Sequence, residues 1–377
     1  MKKIVIIGSA YPLRGGGLAT FNERLAKAFT QNNYQTRIET FSLQYPSFLF
    51  PGKTQYSDEE APEDIDITVS VNSINPINWI KVGRKIKKEK PDLVILRYWI
   101  PFISPSLGTI ARIIRKNKHT RIVAIADNII PHEKRPGDRL LSKYFVNSVD
   151  GFVTMSQTVM DDLNQFDTQK PRLFNPHPLY DNFGAIMQKS EAKEKLGLEK
   201  NQRYILFFGF IRDYKGLDIL LEAMTDARFK EEKIKLIVAG EFYSHEKETR
   251  QYIKEHQLED RLILRTDFIP NTQVGLYFNA CDMVVQPYKT ATQSGVTQIG
   301  YHFEKPMLVT NVGGLAEIIH HNKTGYVCQV DPKDIANHII KFYKENKAED
   351  FAPFIKEEKK KYSWDKLVDA IIEVSGL

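Results

Sequence analysis

The chain has 377 residues, of which 42% are hydrophobic and 27% charged, with a formal net charge of +6. This length suggests two or three domains with packed cores, and the mild basic charge favours anionic substrates or an anionic membrane surface without pointing to nucleic acid. Only two cysteines occur, Cys281 and Cys328, which excludes a disulfide framework and a cysteine-rich metal site and favours a reducing cytoplasm.

Strand-like and helix-like segments alternate in the first half of the chain. The strands are predicted at residues 3–8, 35–41, 92–96, 121–126 and 151–155. Such alternation predicts a doubly wound parallel sheet, in which ligands bind beyond the carboxyl ends of the strands.

A glycine-rich loop, SAYPLRGGGLATF, follows the first predicted strand and lacks the GxGxxG pattern of dinucleotide-binding proteins. Gly15, Gly16 and Gly17 let a backbone approach a ligand closely, so we expect a phosphate or acceptor contact there. A flexible connection between strand and helix is the alternative. Asp127 and His132 follow the strand at 121–126, where a site is also expected; a polar surface loop is the alternative for each.

Two segments of this half bear on the acceptor. Residues 76–90, PINWIKVGRKIKKEK, have the pattern of an amphipathic basic helix. It is either a crossover helix packed on the sheet or one that also contacts anionic lipid headgroups. The aromatic loop at 98–103, which follows the strand at 92–96, either belongs to the core or lines a pocket for an apolar acceptor.

The segment at 174–183, FNPHPLYDNF, is rich in proline and asparagine and is predicted to be a hinge. A second alternating series follows, with strands predicted at residues 205–208, 234–239, 262–265, 283–286 and 307–309. We therefore expect an N-terminal acceptor-binding domain at 1–178 and a C-terminal nucleotide-sugar domain at 179–360. The amphipathic helix at 361–377 could cross back over the first domain.

The stretch YILFFGFIRDYKGLDILLEA, residues 204–223, is typical of a buried strand, a tight loop and a helix. Gly209 ends the strand, and Arg212 and Lys215 fall in the loop. Free backbone N–H groups and the helix dipole favour an anion at such a junction, so we predict that this loop binds a diphosphate. Gly295 and Val296 would offer a second set of N–H groups at a later helix start.

The motifs occur in a fixed order along the chain: the glycine-rich loop, FFGFIRDYKGLDILLEA, an AGE turn, DFIP, ACDMVVQPY, SGV, KPMLVTNVGG and GGLAEII. This set resembles the retaining glycosyltransferases of the large GT-B family that also includes sucrose synthases and the mannosyltransferases of lipid glycan assembly. The resemblance covers nearly the whole chain and is specific, as a combination, in the C-terminal half. It implies an α/β GT-B fold of two facing Rossmann-like domains with parallel sheets.

The resemblance also implies roles for individual residues. Lys215 matches the family's diphosphate-binding lysine, while the family's arginine falls at Phe210, so Arg212 is expected to substitute for that arginine. It also implies donor contacts by Gly16 and Gly17 near the phosphate, by the backbone of Phe268 and Ile269 at the base, and by the amides of Gly295 and Val296 over the diphosphate. Gly209, which ends the strand before the diphosphate loop, and Ser294, which precedes Gly295, are further expected donor contacts.

The chain departs from the family pattern in two places. The family's paired glutamates, spaced E-x7-E, are absent; Gln298 is expected to hold the ribose if the register slips by one, and Thr290, Thr292 or Gln293 to contact the donor sugar. Asp127 stands where the family commonly has a histidine, and His132 could partly replace it. Asp127 and His132, with Lys215 and Arg212, are the expected catalytic residues.

The predicted function is that of a hexosyltransferase-type enzyme. It would move a sugar with retention from a nucleoside-diphosphate sugar to a glycan or lipid-linked acceptor, in surface polysaccharide or glycolipid assembly. No metal and no further cofactor is expected, because the second half shows no carboxylate cluster of metal-binding type. The alternatives are a nucleotide-sugar epimerase of the same architecture, using Asp127, His132 and Glu133, and a sugar-nucleotide-binding protein without catalysis.

The expected location is the cytoplasm, with a peripheral contact to the inner face of the membrane through residues 76–90 as an option. The apolar run at the N-terminus is too short for a signal peptide, and the most apolar window, residues 95–114, is interrupted by two arginines and two prolines. No nucleic-acid partner is expected. The pattern leaves open whether the donor carries UDP, GDP or ADP.

Overall fold

A computed structural model describes residues 1–14, 17–46, 54–57, 60–131, 135–291 and 294–377. Its strands are β1 (Lys3–Ile7), β2 (Gln35–Leu43), β3 (Asp66–Asn72), β4 (Leu93–Tyr98), β5 (Arg121–Ala126), β6 (Gly151–Thr154), β7 (Arg172–Phe174), β8 (Arg203–Phe208), β9 (Ile234–Ala239), β10 (Leu262–Arg265), β11 (Met283–Gln286), β12 (Met307–Thr310) and β13 (Gly325–Cys328). Its helices are α1 (Gly17–Gln31), α2 (Pro76–Glu89), α3 (Ser104–Arg115), α4 (Asp138–Val146), α5 (Gln157–Asn164), α6 (Lys189–Lys195), α7 (Leu217–Ala223), α8 (Arg228–Glu231), α9 (Glu246–Glu255), α10 (Asn271–Ala280), α11 (Gly295–His302), α12 (Gly313–Ile318), α13 (Pro332–Lys344), α14 (Lys347–Glu358) and α15 (Trp364–Ser375).

Contacts divide the chain into two compact units. The first unit comprises Met1–Pro178 together with Ser363–Leu377, and the second unit is Leu179–Tyr362. Each unit contains one sheet, and every strand pair in both sheets is parallel. The predicted α/β class with parallel sheets is therefore confirmed.

The sheet of the first unit has the order β3-β2-β1-β4-β5-β6-β7. The order reverses at β1, which pairs with β2 on one side and β4 on the other. Because parallel crossovers are right-handed, α2, α3, α4 and α5 lie on one face of the sheet and α1 lies on the other. One apolar core joins Val82, Leu107, Phe145 and Val159 from those four helices.

Helix α15 also belongs to the first unit. It packs against α1 and against β5, β6 and β7. Ser363 caps it, because the side-chain oxygen accepts a hydrogen bond from the backbone N–H of Lys366 at 3.3 Å. Leu367 and Ile371 on its inner face are fully buried.

The sheet of the second unit has the order β10-β9-β8-β11-β12-β13. Here the order reverses at β8, which lies between β9 and β11. Residues Tyr204–Phe207 of β8 are almost without exposed surface, as expected for a central strand covered on both faces.

Three strands, β3, β7 and β13, were missing from the predicted set. β3 is an edge strand of mostly half-buried residues with mixed polarity, β7 has three residues, and β13 begins with a glycine. None of them offers the continuous apolar run by which the other strands were detected. Helix ends were better marked: Asn75 before Pro76 caps α2, and Asp331 before Pro332 caps α13.

Two composition-based expectations can be placed in the structure. Cys281 and Cys328 are both buried free thiols. Among the described helices, none combines the length and apolar character that a bilayer-crossing segment requires.

Candidate functional site

Two loops meet at the point of the second sheet where the strand order reverses. One follows β8 and the other follows β11, its neighbour in the sheet. In doubly wound sheets this reversal opens a crevice beyond the carboxyl ends of the strands, where ligands bind. The backbone N–H of Lys289 donates to the carbonyl of Tyr214 at 2.7 Å, and the Lys289 ammonium group pairs with Asp213 and Asp218. The two loops are thereby held together.

Gly216 allows the closest approach between these loops. Its φ is +67°, and a Cβ atom at this position would lie 2.0 Å from the carbonyl oxygen of Pro287. Any other residue would be strained and would clash with the backbone. The glycine that follows Lys215 in the sequence is thus required by the packing of the two loops.

Lys215 lies at the centre of this site with little contact to water. Its side chain is buried, its Nζ is 5.5 Å from the ring centroid of Tyr288, and a Cβ atom at Gly209 would lie 2.8 Å from it. Burial, reinforced by the positive charge of Arg212, lowers the pKa of Lys215 to about 7. No residue in the described part of the chain accepts a hydrogen bond from this ammonium group or pairs a carboxylate with it. A desolvated cation without a counterion favours the binding of an anion.

The start of α11 borders the same spot. A Cβ atom at Gly209 would lie 3.8 Å from Cγ2 of Val296, the second residue of the helix. Gly295 is the first residue of this helix. Its Cα faces the ring of Tyr180, because a Cβ atom at this position would lie 2.8 Å from that ring. Ser294 precedes the helix and is buried. The first N–H groups of a helix lack intrahelical partners, so Lys215 and the start of α11 form a site suited to an anion.

Gln298 lies further along α11 and is fully buried. Neither its amide nitrogen nor its amide oxygen has a hydrogen-bond partner among the residues that the structure describes. Leaving such a group unsatisfied costs about 1–3 kcal/mol. Because none of its surface is exposed, a ribose could contact Gln298 only after a rearrangement of its surroundings.

Three aromatic side chains gather beyond the ends of β8, β9 and β10. The ring of Phe210 lies 4.5 Å from that of Tyr243 and 6.3 Å from that of Phe268, nearly parallel to the latter. The exposed guanidinium group of Arg212 lies 4.9 Å from the centre of the Tyr243 ring. We call Phe210, Tyr243 and Phe268 the aromatic group. Ile269, the other predicted base contact, follows Phe268 and is half-buried.

From the sequence, Phe210 was noted only because it stands where the family has an arginine, and Tyr243 was not predicted to belong to the site. The positions of the residues could have indicated the group, because each of the three aromatic residues follows shortly after the end of one of three neighbouring strands. Backbone hydrogen bonds fix two of them: the N–H of Ile211 donates to Glu241 at 2.8 Å, and that of Tyr243 donates to Ile211 at 2.9 Å.

Asp127, in the first unit, is held in a buried ion pair. Nε and Nη2 of Arg97 each donate to one oxygen of the Asp127 carboxylate at 2.6 Å. The Arg97 guanidinium group also lies 3.7 Å from the centre of the Phe21 ring. His177 contacts the same ring edge-on, and burial together with the charge of Arg97 lowers its pKa to about 3. Asp127 is therefore a paired carboxylate, and its partner Arg97 shares the Phe21 ring with a neutral histidine.

Arg97 and His177 were not predicted as members of this cluster. Arg97 could have been predicted to have an ion-pair partner, because it lies inside the apolar strand LVILRY and a buried charge needs a partner. Gly17 begins α1 and is exposed, and a Cβ atom added there would meet nothing within 4 Å. The predicted contacts Gly16, His132 and Gln293 lie outside the described residues.

No group of three or more His, Cys, Asp or Glu side chains is arranged to hold a metal ion in the ranges that the structure describes.

Comparison with known proteins finds a family similarity in the second half of the chain. Residues 188–373 match the family model described as Glycosyl transferases group 1. The glycosyltransferase MJ1178 of Methanocaldococcus jannaschii is 26% identical over 306 residues, covering 79% of each chain. The alpha-monoglucosyldiacylglycerol synthase of Streptococcus pneumoniae is 27% identical over 168 residues, which cover 43% of this chain and 37% of that protein.

Solved structures extend the likeness to the whole chain. The crystal structure of Anabaena Alr3699/HepE in complex with UDP and glucose superposes with a TM-score of 0.74 at 17% identity, covering 100% of both chains. At this identity the comparison establishes the fold alone. It is the GT-B fold with two Rossmann-like domains that the sequence motifs implied.

Proposed function

We propose that this protein transfers a sugar from a nucleoside-diphosphate sugar to a glycan or lipid-linked acceptor, because residues 188–373 match the family model described as Glycosyl transferases group 1. We further propose that it retains the anomeric configuration, needs no metal ion and acts in the assembly of a surface polysaccharide or glycolipid. The observation that carries the proposal is Lys215, a buried cation whose ammonium group has no counterion in the described chain, next to a helix start.

The donor diphosphate fits the site by charge. As the bond from the anomeric carbon to the phosphate breaks, negative charge accumulates on the leaving diphosphate. Lys215, the exposed Arg212 and the N–H groups of Gly295 and Val296 stabilise that charge more strongly as it develops, which is the condition for rate acceleration. These groups supply positive charge where a divalent ion serves in other transferases.

The nucleoside is proposed to lie against the aromatic group. Phe210 and Phe268 offer nearly parallel faces, and a base stacked on an aromatic ring gains about 1–3 kcal/mol. The name of the HepE structure supports UDP and glucose as the class of donor to test first. The name of the pneumococcal relative, a glucosyldiacylglycerol synthase, supports a lipid-linked acceptor.

Retention without a protein nucleophile is consistent with the state of Asp127. Attack by Asp127 on the sugar, or proton uptake by it, would break its two hydrogen bonds to Arg97 and leave a buried arginine unpaired, which is costly. We therefore propose that the leaving phosphate accepts the proton of the acceptor hydroxyl. The anomeric configuration of a product, read from its NMR coupling constants, tests this; an inverted product would contradict it.

Substitution of Lys215 tests the donor site. Lys215→Ala should lower the transfer rate at least about 10- to 100-fold, since a charge-assisted hydrogen bond contributes about 1.5–3 kcal/mol. The matched control is Lys289→Ala, which removes a lysine of the neighbouring loop whose charge is already balanced by Asp213 and Asp218. It should change the rate only a few-fold. Equal effects of the two substitutions would contradict the assignment.

Two assays separate this function from its alternatives. A thermal-shift series with UDP, GDP and ADP and their sugars identifies the donor, because a bound ligand raises Tm. Incubation with that donor alone then detects an epimerase, which needs no acceptor, whereas binding without turnover on any acceptor indicates a binding protein.

A chelator tests the proposed metal independence. Transfer that continues in excess chelator supports metal independence, and strict metal dependence refutes it.

We also propose a cytoplasmic location, which agrees with two buried cysteines that form no disulfide.

A further inference from the structure

Helices α2, α3 and α4 form one layer on the first unit. Their crossovers run in the same direction across the sheet, from β3 towards β6, so right-handedness places all three on the same face. α2 packs against α3, and α3 packs against α4. The inner side of this layer belongs to the apolar core, and many residues on its other side are exposed.

The layer is rich in basic residues. The three helices carry nine lysines and arginines and two acidic residues, Glu89 and Asp138. Two of the nine cations are already paired, Lys85 with Glu39 and Arg115 with Asp150. Glu89 is already paired with Arg37 of β2. Lys81, Arg84 and Lys88 are exposed on α2, and none of them has an ion-pair partner in the described ranges. These charges are therefore available to a partner.

The same surface exposes large apolar side chains. Twelve described residues of this kind are exposed, and five of them belong to this layer or lead into it: Ile74, Ile77, Ile80, Leu140 and Tyr144. Ile77 is 67% exposed and Leu140 is 74% exposed. On α2, Ile77, Lys81, Arg84 and Lys88 have the spacing of one helical stripe, so apolar and basic residues share one side of the helix.

We propose that this surface docks on an anionic lipid bilayer. It consists of residues 74–88, which lead into α2 and form most of it, together with Leu140, Lys143 and Tyr144 of α4. Basic residues are attracted to the negative surface potential of anionic headgroups, and exposed isoleucine and leucine side chains enter the boundary between headgroups and acyl chains. The helix α5, which follows on the same face, carries Asp161 and Asp162 and marks the limit of the surface. The proposal does not depend on sugar transfer, and its test contains no donor.

Sedimentation with lipid vesicles tests the proposal. The full chain should partition strongly onto vesicles of phosphatidylglycerol and phosphatidylcholine and weakly onto phosphatidylcholine alone. Lys81→Glu/Arg84→Glu/Lys88→Glu should lower the partition coefficient on the anionic vesicles by roughly 100-fold or more, given the contribution of each cation near such a surface. Binding that is equal on both kinds of vesicle would overturn the proposal.

A matched variant separates the surface from net charge. Lys230→Glu/Lys247→Glu/Lys254→Glu makes the same change in charge at exposed lysines of the second unit and should leave partitioning within a few-fold of the original. Similar losses in both triple variants would overturn the proposal, as would unchanged vesicle binding of the α2 variant. Equal Tm values for the variants and the original chain establish that each one is folded.

The apolar residues have a separate signature. Ile77→Ser/Leu140→Ser should reduce the binding that persists at high salt, where electrostatic attraction is screened. Phe354→Ser is the control, because Phe354 is also exposed and lies on α14 in the second unit. A basic surface that instead serves nucleic acid would still prefer anionic vesicles, but its vesicle binding would vanish at high salt and would not depend on Ile77 and Leu140, and that result would overturn the proposal.

Discussion

Lys215 occupies an environment that disfavours its own charge. Its amine has a pKa of about 7 in the folded chain and an ordinary value of 10.5 when it is unfolded. Between these pH values the unfolded chain binds more protons than the folded chain, so the free energy of unfolding rises with pH. Below about pH 7 both states carry the proton, and the full penalty of burying the charge is present. The unliganded site thus costs stability, and the proposed anion would reduce that cost by pairing with the charge.

Replacing this amine should stabilise the unliganded protein. Lys215→Met removes the buried charge, so the variant should have the larger free energy of unfolding at pH 7. The difference should shrink by roughly 2 kcal/mol at pH 9, where the original lysine is largely neutral. Urea unfolding at both pH values measures this. Lys289→Met, which loses an ion-paired lysine, is the control. A variant less stable than the original chain at pH 7 would contradict the burial argument.

The same pKa predicts how nucleotide binding depends on pH. The proposed diphosphate would pair with the protonated amine, so its affinity should fall as pH rises from 7 to 9, by at most about tenfold per pH unit for one proton. Titration calorimetry with the nucleoside diphosphate that gives the largest rise in Tm measures it. Lys215→Arg, always protonated, should show a nearly flat profile. A steep profile in both proteins would place the proton elsewhere.

The ion pair with Arg97 changes the role that is expected for Asp127. From the sequence it was an expected catalytic group after a strand. In the structure its two oxygens accept hydrogen bonds from Arg97, thirty positions away, and both side chains are buried. Nothing local to Asp127 identifies this partner. Its expected role in catalysis stays a prediction, and the pairing favours positioning over proton transfer.

At the scale of elements, the aromatic group is the part of the site that would bind the base of the proposed nucleotide donor. Phe210→Ala should weaken nucleoside diphosphate binding by roughly 10- to 100-fold, because a stacked base contributes about 1–3 kcal/mol. Inorganic pyrophosphate lacks a base, so its affinity should not change. Phe210→Tyr, which keeps the ring, should bind both ligands as the original chain does. Competition experiments give these affinities, and an equal loss for pyrophosphate would indicate a disturbed loop.

The elements of the site were predictable because their signals are local. The run YILFF marked β8, the apolar spacing after Gly216 marked α7, and small residues marked the start of α11. Which loops meet was implied by sheet topology once two alternating series were recognised. The aromatic group escaped notice because its three rings are distant in the sequence and become neighbours only when β8, β9 and β10 pair.

At the scale of the whole molecule, α15 is the element that packs in a unit from which it is far removed in sequence. It follows the second unit in sequence and completes the first. Ile371→Ala should cost about 2–5 kcal/mol of stability, the range for a truncated buried isoleucine, because Ile371 is fully buried. Lys366→Ala, on the exposed side of the same helix, should cost little.

Amide hydrogen exchange locates that loss. Protection should fall in β5 and β6, against which α15 packs, while β8 and β9 of the second unit keep theirs. Loss of protection confined to the second unit would contradict the division of the chain into these two units.

The sequence by itself determined the α/β class, the parallel strands and the order of the motifs, because hydrophobic period, glycines and helix caps act over a few residues. It also identified Lys215 as a cation at a strand–helix junction. Tertiary structure alone decided that this amine is buried and lacks a counterion in the described chain, that Arg97 pairs with Asp127, and that Phe210 has aromatic neighbours. The physical reason is that desolvation and ion pairing depend on which strands, distant in the sequence, lie side by side in the sheet. A pattern of a few neighbouring residues does not specify the distance between such strands.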